Sequence, residues 1–547
     1  MRPSGVAALT RLEAPGGTGH PTGRWRLPGG GRGWAGLWVL AMVWSVGGWL
    51  TAEGPVLNVS GWPLVAEFFS AALSPELSVQ FLVRAGRATL ITLSFAVLGT
   101  LLAVLVGLVV GVLISETWWG TTGPGTRTRP AARRVGWLLT RLGLAVPRGI
   151  HEAVWALLLL SVLGRHPLVG VLAIAIPFGA ITAKVYAEII DESARGPYEA
   201  LRASGSRRGP ALLYAVLPIA WPELVSYAFY RFECAVRSAV ILGMVGAGGL
   251  GFELVLSFSG SRHAEVWTLI YTIVAVGAVA DRWGAGLRRT TGALRPGVSA
   301  AVALGAVVAA LVHLGPDLSR VLSSRTVELF TGLMAEMVPP RLPEGGWARL
   351  LAEALVTLQM SLVAGTIAAL AAVAVAFVAA RGGTTPGRRA AGAAARWVLL
   401  VTRSLPPPVW ALLFLFLFLP GPLPGALALG VYNFGILGRL CAEVVENLDR
   451  RSHDHLIATG APPVSAFGYA IIPQASGRFL AYGLYRWEVA MRETVVVGIV
   501  GAGGLGRLLE DQRVAFDLGA MAGTVLALIV LSALVDIIST AIRNTLR

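Results

Sequence analysis

Charged residues are scarce in this sequence. Only 14% of its 547 residues are Asp, Glu, Lys or Arg, and 55% are hydrophobic, whereas about 25% charged residues is usual for a soluble domain. The mean hydropathy is +0.69. This shortage of charge excludes an ordinary soluble protein and indicates an integral membrane protein.

Lysine and cysteine are almost absent. Lys184 is the only lysine, so the net charge of +15 comes from arginine. The arginines cluster in short loops between apolar runs, which is typical of cytoplasmic loops in membrane proteins, and no nucleic-acid partner is predicted. Cys234 and Cys441 lie inside apolar runs and predict buried thiols, not a disulfide framework.

Motifs for nucleotide hydrolysis and metal binding are also missing. The pattern G-x-x-x-x-G-K-[ST] does not occur, so we expect no ATP hydrolysis by this chain and assign no catalytic residue. His453 and His455 have no third ligand nearby in sequence, so no metal site is predicted. Residues 1–33, rich in Gly, Pro and Arg, predict a disordered N-terminus without a signal-peptide cleavage site.

Twelve apolar runs are present, six in each half of the chain. Because about 20 apolar residues cross a bilayer, the predicted fold class is an all-α integral membrane protein with about 12 transmembrane helices. The runs lie at about 34–50, 88–114, 151–164, 167–190, 219–247, 265–281, 297–315, 352–380, 397–419, 422–445, 474–502 and 517–541.

One stretch occurs twice. Tyr230–Gly251 and Tyr485–Gly506 are 255 residues apart and share 14 of 22 residues. Since each half holds an even number of runs, the two copies are predicted to be parallel six-helix repeats. We therefore divide the chain into a first repeat, 34–290, and a second, 291–547.

The distribution of arginine predicts the orientation in the membrane. Arginine-rich loops recur on one side, which the positive-inside rule makes cytoplasmic, and both termini are predicted on that side of a multi-pass cell-membrane protein. The segment 51–80 has no Lys or Arg. It is predicted outside, where its amphipathic part and that of 316–347 could lie against membrane lipid. The arginine-rich segments are 115–135, 195–208, 282–295, 381–396, 449–451 and the C-terminal tail.

The repeated stretch carries charge inside an apolar segment. Charge within a membrane is costly and often functional. Two interpretations stay open: internal ion pairs that hold helices together, or arginines that line an anion path, since the guanidinium fork suits an oxyanion. The candidate residues are Arg231, Glu233 and Arg237 in the first repeat and Arg486, Glu488 and Arg492 in the second.

A short polar segment precedes each charged helix. It predicts a short helix that ends at a glycine and docks in a groove of a partner, with Leu201 or Leu456 as the anchor. The candidate docking residues are Glu199, Ala200, Leu201 and Gly205 in the first repeat and Asp454, His455, Leu456 and Gly460 in the second.

A glycine-rich segment follows each charged helix. It fits the dinucleotide pattern G-x-G-x-x-G, but it ends a membrane helix and follows no strand, so we reject nucleotide binding. The glycines predict a sharp turn with close packing, and a role in an external gate is the functional alternative. They are Gly246, Gly248, Gly249 and Gly251 and their equivalents Gly501, Gly503, Gly504 and Gly506.

Together these motifs resemble a known family. Glu199-Ala-x-x-x-x-Gly205, followed by Leu217-Pro218, resembles the coupling-helix motif of ATP-binding-cassette importer permeases. With the arginine–glutamate helix and the glycine segment, the chain is similar to phosphonate-type permeases. The second copy departs from the motif at Asp454-His455, so the two loops are not expected to contact two identical ATPases identically.

The resemblance implies a fold and partners. The fold would be two type I importer transmembrane domains fused in tandem. The partners would be two cytoplasmic ATPase subunits, which bind ATP and magnesium, and an extracytoplasmic substrate-binding protein. The cargo would be phosphonate or a related phosphorus oxyanion, phosphite or phosphate.

Two other classes of function stay open at this point. In an ion-gradient-driven secondary anion transporter, Glu233 and Glu488 would carry protons. A membrane enzyme such as a phosphatase has less support, because no nucleophile–base pair or metal cluster stands out in the sequence.

Overall fold

A computed structural model describes residues 31–50, 58, 61–119, 131–289, 294–315, 317, 319, 323–381 and 385–546. All regular elements in these ranges are helical, which confirms the predicted all-α class. Of the N-terminal segment predicted to be disordered, residues 1–30 lie outside the described residues, and residues 31–33 begin the first helix.

The chain divides into two compact units. The first unit comprises Ser74–Thr331, and the second comprises Gly332–Arg547 together with residues of Thr22–Leu73. The sequence repeat places its boundary at 290/291, and that division stays a proposal. The compact units group the helices differently, because Gly31–Leu50 packs within the second unit and Leu294–Leu314 within the first.

Two helices precede Ser74 in the chain and take the first two labels. They are α1 (Gly31–Leu50) and α2 (Trp62–Ser70), both in the second unit. The helices of the first unit are α3 (Val79–Ile114), α4 (Glu116–Trp119), α5 (Ala131–Gly143), α6 (Ala145–Gly149), α7 (Glu152–Leu163), α8 (Leu168–Glu192), α9 (Gly196–Ala203), α10 (Arg208–Ala211), α11 (Leu217–Leu242), α12 (Leu250–Ser259), α13 (His263–Arg289) and α14 (Leu294–Leu314). Helix α15 (Ser324–Met337) contains the boundary between the units, which lies between Thr331 and Gly332.

The remaining helices of the second unit follow the order of α3, α5 and α7 to α13. They are α16 (Gly346–Ala379), α17 (Pro386–Ser404), α18 (Pro407–Leu417), α19 (Pro422–Glu446), α20 (Arg451–Ala458), α21 (Pro463–Ala466), α22 (Ile472–Val497), α23 (Gly504–Val514) and α24 (Leu518–Leu546).

Many of these helices are long and apolar enough to cross a membrane. By length and composition, the described residues contain 8 such helices, or up to 11 spans when each of three bent pairs counts as one. The sequence predicts about 12. The first predicted run corresponds to α1, whose 20 residues extend about 30 Å, close to the thickness of the bilayer core.

The core of the first unit is built on the long helix α3. Glycines bring α3 close to α8: a Cβ at Gly99 would lie 2.8 Å from Ile174 Cβ, and one at Gly107 would lie 2.6 Å from Thr182 Cγ2. Such close approach of backbones is how membrane helices gain packing energy. Helix α14 also packs on α3, and its Ala310 is buried in this core.

The second unit repeats this arrangement around α16, which packs on α19 and α22. Helix α1 also lies against α16. Trp38 Nε1 donates to Thr366 Oγ1 at 3.0 Å, and Trp49 Nε1 donates to Gln359 Oε1 at 3.2 Å. The rings of Trp38 and Trp487 also pack edge to face, with their centroids 4.9 Å apart. These contacts make α1 part of the second unit's core.

The predicted run 397–419 lies in two helices, α17 and α18. The chain bends by 96° between them. Three prolines, Pro406, Pro407 and Pro408, follow Leu405 at the bend. A proline lacks an amide donor and pushes the preceding residue into extended backbone. Leu405 accordingly has φ −87° and ψ 123°, so the break follows from the local sequence.

Candidate functional site

In the second unit, the first arginine of the charged helix α22 sits in a closed network. Arg486 is 8% exposed. Its Nε donates to Asn433 Oδ1 at 2.7 Å, and its Nη2 donates to Glu493 Oε1 at 3.3 Å. Asn433 Nδ2 donates to Glu493 Oε2 at 3.2 Å and to the Leu429 carbonyl at 2.8 Å. We call Asn433, Arg486 and Glu493 the clamp. Mutual hydrogen bonds of this kind make a buried ion pair tolerable.

In the first unit, the equivalent arginine lies among aromatic rings. Arg231 Nε and Nη2 donate to the Tyr227 hydroxyl at 2.9 and 2.6 Å. Its Cζ lies 5.1 Å from the ring centroids of Phe178 and Tyr227 and 5.7 Å from that of Tyr230. The residue is half-buried. The rings hold the faces of the guanidinium through cation–π attraction.

The two arginines have different surroundings because two positions of the repeat hold different residues in the two units. Asn433 and Glu493 stand where the first unit has Phe178 and Ser238. Ser238 Oγ donates to Glu152 Oε1 at 2.5 Å, and the Glu152 side chain is 12% exposed. The position equivalent to Glu152 is a proline in the second unit. Each unit therefore has a carboxylate near this part of its charged helix, but the carboxylate comes from a different helix.

The other charged residues of the two helices have their own partners. Glu488 Oε1 accepts from Arg543 Nη1 at 2.8 Å, and both side chains are largely buried. Glu233 is 6% exposed, and its backbone carbonyl accepts from Arg237 Nε at 3.3 Å. Arg492 is half-buried. The six predicted residues thus lie on two equivalent helices, and Arg231, Arg486 and Glu488 each contact a different set of side chains.

The glycine segments form the same turn in both units. Helices α11 and α22 each run into a π turn, in which Gly246 has φ 112° and Gly501 has φ 119°. Side chains rarely adopt such φ values, so glycine is required there. A Cβ at Gly251 or Gly506 would overlap the backbone carbonyl oxygen of Val240 or Val495. The predicted turn with close packing is present. The remaining predicted glycines also have positive φ: Gly248, Gly249, Gly503 and Gly504.

A buried threonine of the long helix holds each turn. Thr92 Oγ1 on α3 accepts from the Leu250 amide at 2.9 Å, and Thr357 Oγ1 on α16 accepts from the Leu505 amide at 2.8 Å. Both threonines are almost fully buried. The start of the short helix after each turn is thereby fixed to the core of its own unit.

The predicted docking segments are short helices of identical length. Helices α9 and α20 have eight residues each and lie 255 residues apart. Gly205 (φ 91°) and Gly460 (φ 88°) follow them. In each case the amides of the glycine and of the next residue donate back to the last helical turn at 3.0 to 3.2 Å. This is the Schellman arrangement, and it explains why each helix stops at its glycine.

The surfaces of these two helices are largely open. Leu201 and Leu456, the predicted anchors, are half-buried. His453 Nδ1 lies 3.1 Å from Asp454 Oδ1. In the part of the chain that the structure describes, no three His, Cys, Asp or Glu side chains are grouped to hold a metal ion. The exposed predicted residues are Glu199, Ala200, Gly205, Asp454, His455 and Gly460.

An acidic residue just before each short helix ties it to the long helix of its unit. Asp191 accepts from the amides of Glu116 and Thr117, both at 2.8 Å, in α4, which follows α3. Glu446, at the equivalent position, accepts from the Arg381 amide at 2.7 Å after the end of α16. These bonds join the C-terminal ends of α8 and α19 to the residues that follow the long helix of each unit.

Several of these residues were not anticipated from the sequence. Asn433, Glu493 and Glu152 complete the polar contacts of the charged helices, and Thr92 and Thr357 hold the turns. A comparison of the two repeats, position by position, contains a signal for the clamp, because Asn433 and Glu493 are polar residues inside apolar runs. The threonines give no such signal, since a hydroxyl within a helix usually bonds its own backbone.

A family described as binding-protein-dependent transport system inner membrane component matches the chain twice, over residues 118–326 and 372–547. Among curated proteins, the chain is similar to the phosphate-import permease protein PhnE of Mycolicibacterium smegmatis, with 27% identity over 92% of each chain. It is also similar to the phosphite transport system permease protein PtxC of Stutzerimonas stutzeri, with 34% identity over 39% of this chain and 76% of that protein.

A third relative is the putative cryptic phosphonate transport system permease protein PhnE2 of Escherichia coli, with 36% identity over 22% of this chain and 97% of that protein. Among solved structures, the methionine ABC transporter MetNI in inward-facing conformations has a TM-score of 0.34 at 21% identity. That match covers 39% of this chain and 96% of the solved chain.

Proposed function

The chain belongs to the family of binding-protein-dependent transport system inner membrane components, and from that membership we propose that it forms the translocation path of an ATP-driven importer for a phosphorus oxyanion. It is a multi-pass membrane protein. The proposed cargo is phosphonate, phosphite or phosphate. Each of these words occurs in the name of a relative that matches this chain over most of the relative's own length.

The observation that carries this proposal is the repetition of a charged helix, a glycine turn and a short exposed helix in both units. Arginine side chains inside apolar helices give the donors that an oxyanion needs where water is scarce. We propose that Arg231, Glu233, Arg237, Arg486, Glu488 and Arg492 belong to the substrate path. The glycine turns would serve as the gate.

The short helices α9 and α20 are the proposed docking sites for two cytoplasmic ATPase subunits. Schellman bonds close the C-terminal end of each helix, and Asp191 and Glu446 bind the end of the preceding helix to another segment of the same unit. ATP and magnesium would bind to the ATPases, and an extracytoplasmic binding protein would deliver the anion. From the positive-inside rule we propose that both termini of the permease lie in the cytoplasm.

The test is uptake by the complete transporter in proteoliposomes. With ATP inside and the binding protein outside, we expect uptake of at least one of radiolabelled phosphate, phosphite and methylphosphonate, blocked by vanadate. Uptake that follows an imposed proton gradient without the ATPase would instead establish an ion-gradient-driven transporter. Uptake of none of the three anions would overturn the proposed cargo.

A pair of variants tests the docking sites. Leu201→Glu and Leu456→Glu each place a charge on a half-buried anchor, so we expect loss of co-purified ATPase and of ATP-driven uptake. Ser204→Ala, at an exposed position after α9, is the matched control and should keep both. If the ATPase stays bound and active in both glutamate variants, these helices are not the docking sites.

A further inference from the structure

We propose that helix α4 links the docking helix α9 to the long helix α3 of the first unit, and that Trp118 and Tyr198 are the positioning residues of this link. The inference rests on the proposed docking of an ATPase at α9. It adds the route by which a displacement of α9 reaches the core of its own unit. Both residues act through the packing of the helices that carry them, not through contact with the anion.

Helix α4 is fixed to the end of α3. Only Ser115 separates the two helices, and its hydroxyl accepts from the Trp118 amide at 3.2 Å. The indole of Trp119 donates back to the Leu113 carbonyl at 2.6 Å. Asp191, at the end of α8, accepts from two amides of α4. A movement of α4 would therefore break hydrogen bonds to the ends of both α3 and α8.

Helix α9 is joined to α4 through Tyr198. The side chains of Tyr198, Trp118 and Val112 of α3 pack against one buried apolar cluster. The buried residues of this cluster are Ile190, Leu212 and Val216. The Tyr198 hydroxyl donates to the Thr117 carbonyl at 3.4 Å, which is long for such a bond, so packing carries the contact. Arg208, which follows α9, donates to the Trp118 carbonyl at 3.2 Å. Close-packed side chains transmit strain, so a displacement of α9 would reach the end of α3.

The second unit is built differently at this place. Thr92 and Thr357 are 265 residues apart, whereas the glycine turns are 255 apart. The first unit therefore has ten more residues between its long helix and its charged helix, and this interval contains α4. The position of Tyr198 holds His453, which lies 3.1 Å from Asp454 of its own helix. The two docking helices are thus expected to transmit motion through different contacts.

The test measures anions taken up per ATP hydrolysed, in the complete transporter with radiolabelled phosphate, phosphite and methylphosphonate. Trp118→Ala and Tyr198→Ala should each lower this ratio by about threefold or more, while the amount of co-purified ATPase stays the same. Tyr198→Phe keeps the ring and should restore most of the ratio. Tyr271→Ala on α13, where the side chain is 45% exposed, is the matched control and should keep the ratio. If Trp118→Ala does not assemble, Trp118→Leu should show a smaller fall in the same direction.

The double variant Trp118→Ala/Tyr198→Ala shows whether the two residues act together. If they belong to one link, the double variant should lose no more than the more impaired single variant, whereas independent residues give losses that multiply. Multiplied losses, loss of the ATPase from Tyr198→Ala, or an unchanged ratio in both single variants overturn the link while the transport function stands. An ATPase that stays bound and active in Leu201→Glu overturns the docking at α9, and this inference with it.

Discussion

In both units the charged helix ends in the same turn, and yet its first arginine meets different surroundings in each. The φ values of Gly246 and Gly501 differ by a few degrees, and a threonine hydroxyl holds the next helix in each case. The arginine of the first unit lies against rings and a phenol, and that of the second lies in a clamp of amide and carboxylate.

This contrast separates two kinds of constraint. A turn that needs positive φ and no side chain admits only glycine, so both copies must keep it. A cation in a membrane needs some compensation, but rings, amides or a carboxylate can each provide it. The backbone features therefore repeat, while the partners of the charges are free to differ between the two copies.

The largest effect is expected from opening a buried ion pair of the second unit. Arg543→Gln leaves the Glu488 carboxylate buried without its cation, which costs about 3–5 kcal/mol in other proteins. The measurement is the thermal unfolding midpoint of the purified permease. Arg543→Gln/Glu488→Gln removes both charges and should recover much of the loss. If the double variant is as unstable as the single one, the pair does not act as a unit.

The second largest effect is expected at the glycine turns, which have the same geometry in both units. Gly251→Ala and Gly506→Ala each drive a Cβ into a backbone carbonyl, and both should cost about 3 kcal/mol, the upper end for overpacking. Gly305→Ala on α14 is the control, since nothing lies within 4 Å of its added Cβ. Unfolding midpoints that fall in one glycine variant but not in the other would contradict the equivalence of the turns.

A smaller effect is expected at the threonines that hold the turns. Thr92→Val and Thr357→Val keep the side-chain shape but leave the Leu250 or Leu505 amide without its acceptor. Each should cost about 1–3 kcal/mol, the penalty for a buried donor that loses its partner. Hydrogen exchange of these two amides should also become faster. Unchanged exchange in both variants would show that the turns are held by packing alone.

The smallest effect is expected where the units differ only in the identity of a cation. A base lies four residues before an acid at equivalent positions of the two units, with Lys184 Nζ 3.9 Å from Glu188 Oε1 and Arg439 Nε 3.0 Å from Glu443 Oε1. All four side chains are more than a quarter exposed. Lys184→Gln and Arg439→Gln should each change stability by less than about 1 kcal/mol. A larger loss in either variant, by the same unfolding assay, would reveal a further partner.

The sequence predicts the features that depend on near neighbours. The helical class, the glycine turns, and the boundaries of α9 and α20 follow from apolar runs, positive-φ positions and a terminal glycine. The bend at Leu405 is also encoded locally by three prolines, although the apolar run 397–419 conceals it when hydropathy alone is considered.

Features that depend on contacts between residues far apart in the chain could not be predicted from the sequence. Glu488 on α22 pairs with Arg543 on α24, 55 residues later in the chain. Its i,i+4 neighbour on the same helix is Arg492, which the sequence alone would favour as its partner. Likewise, the membership of α1 in the second unit rests on tryptophans that reach Thr366 and Gln359. Apolar periodicity shows that a helix must be covered, but it does not identify the helix that covers it.

The exchange of α1 and α14 between the sequence halves bears on how this chain could be divided. A cut between Thr290 and Leu294 would leave α1 on one fragment while its packing partners α16 and α24 stayed on the other. The same cut would separate α14 from α3. Neither fragment would carry a complete core, so splitting the gene at its internal repeat would yield two mutually dependent polypeptides instead of two autonomous ones.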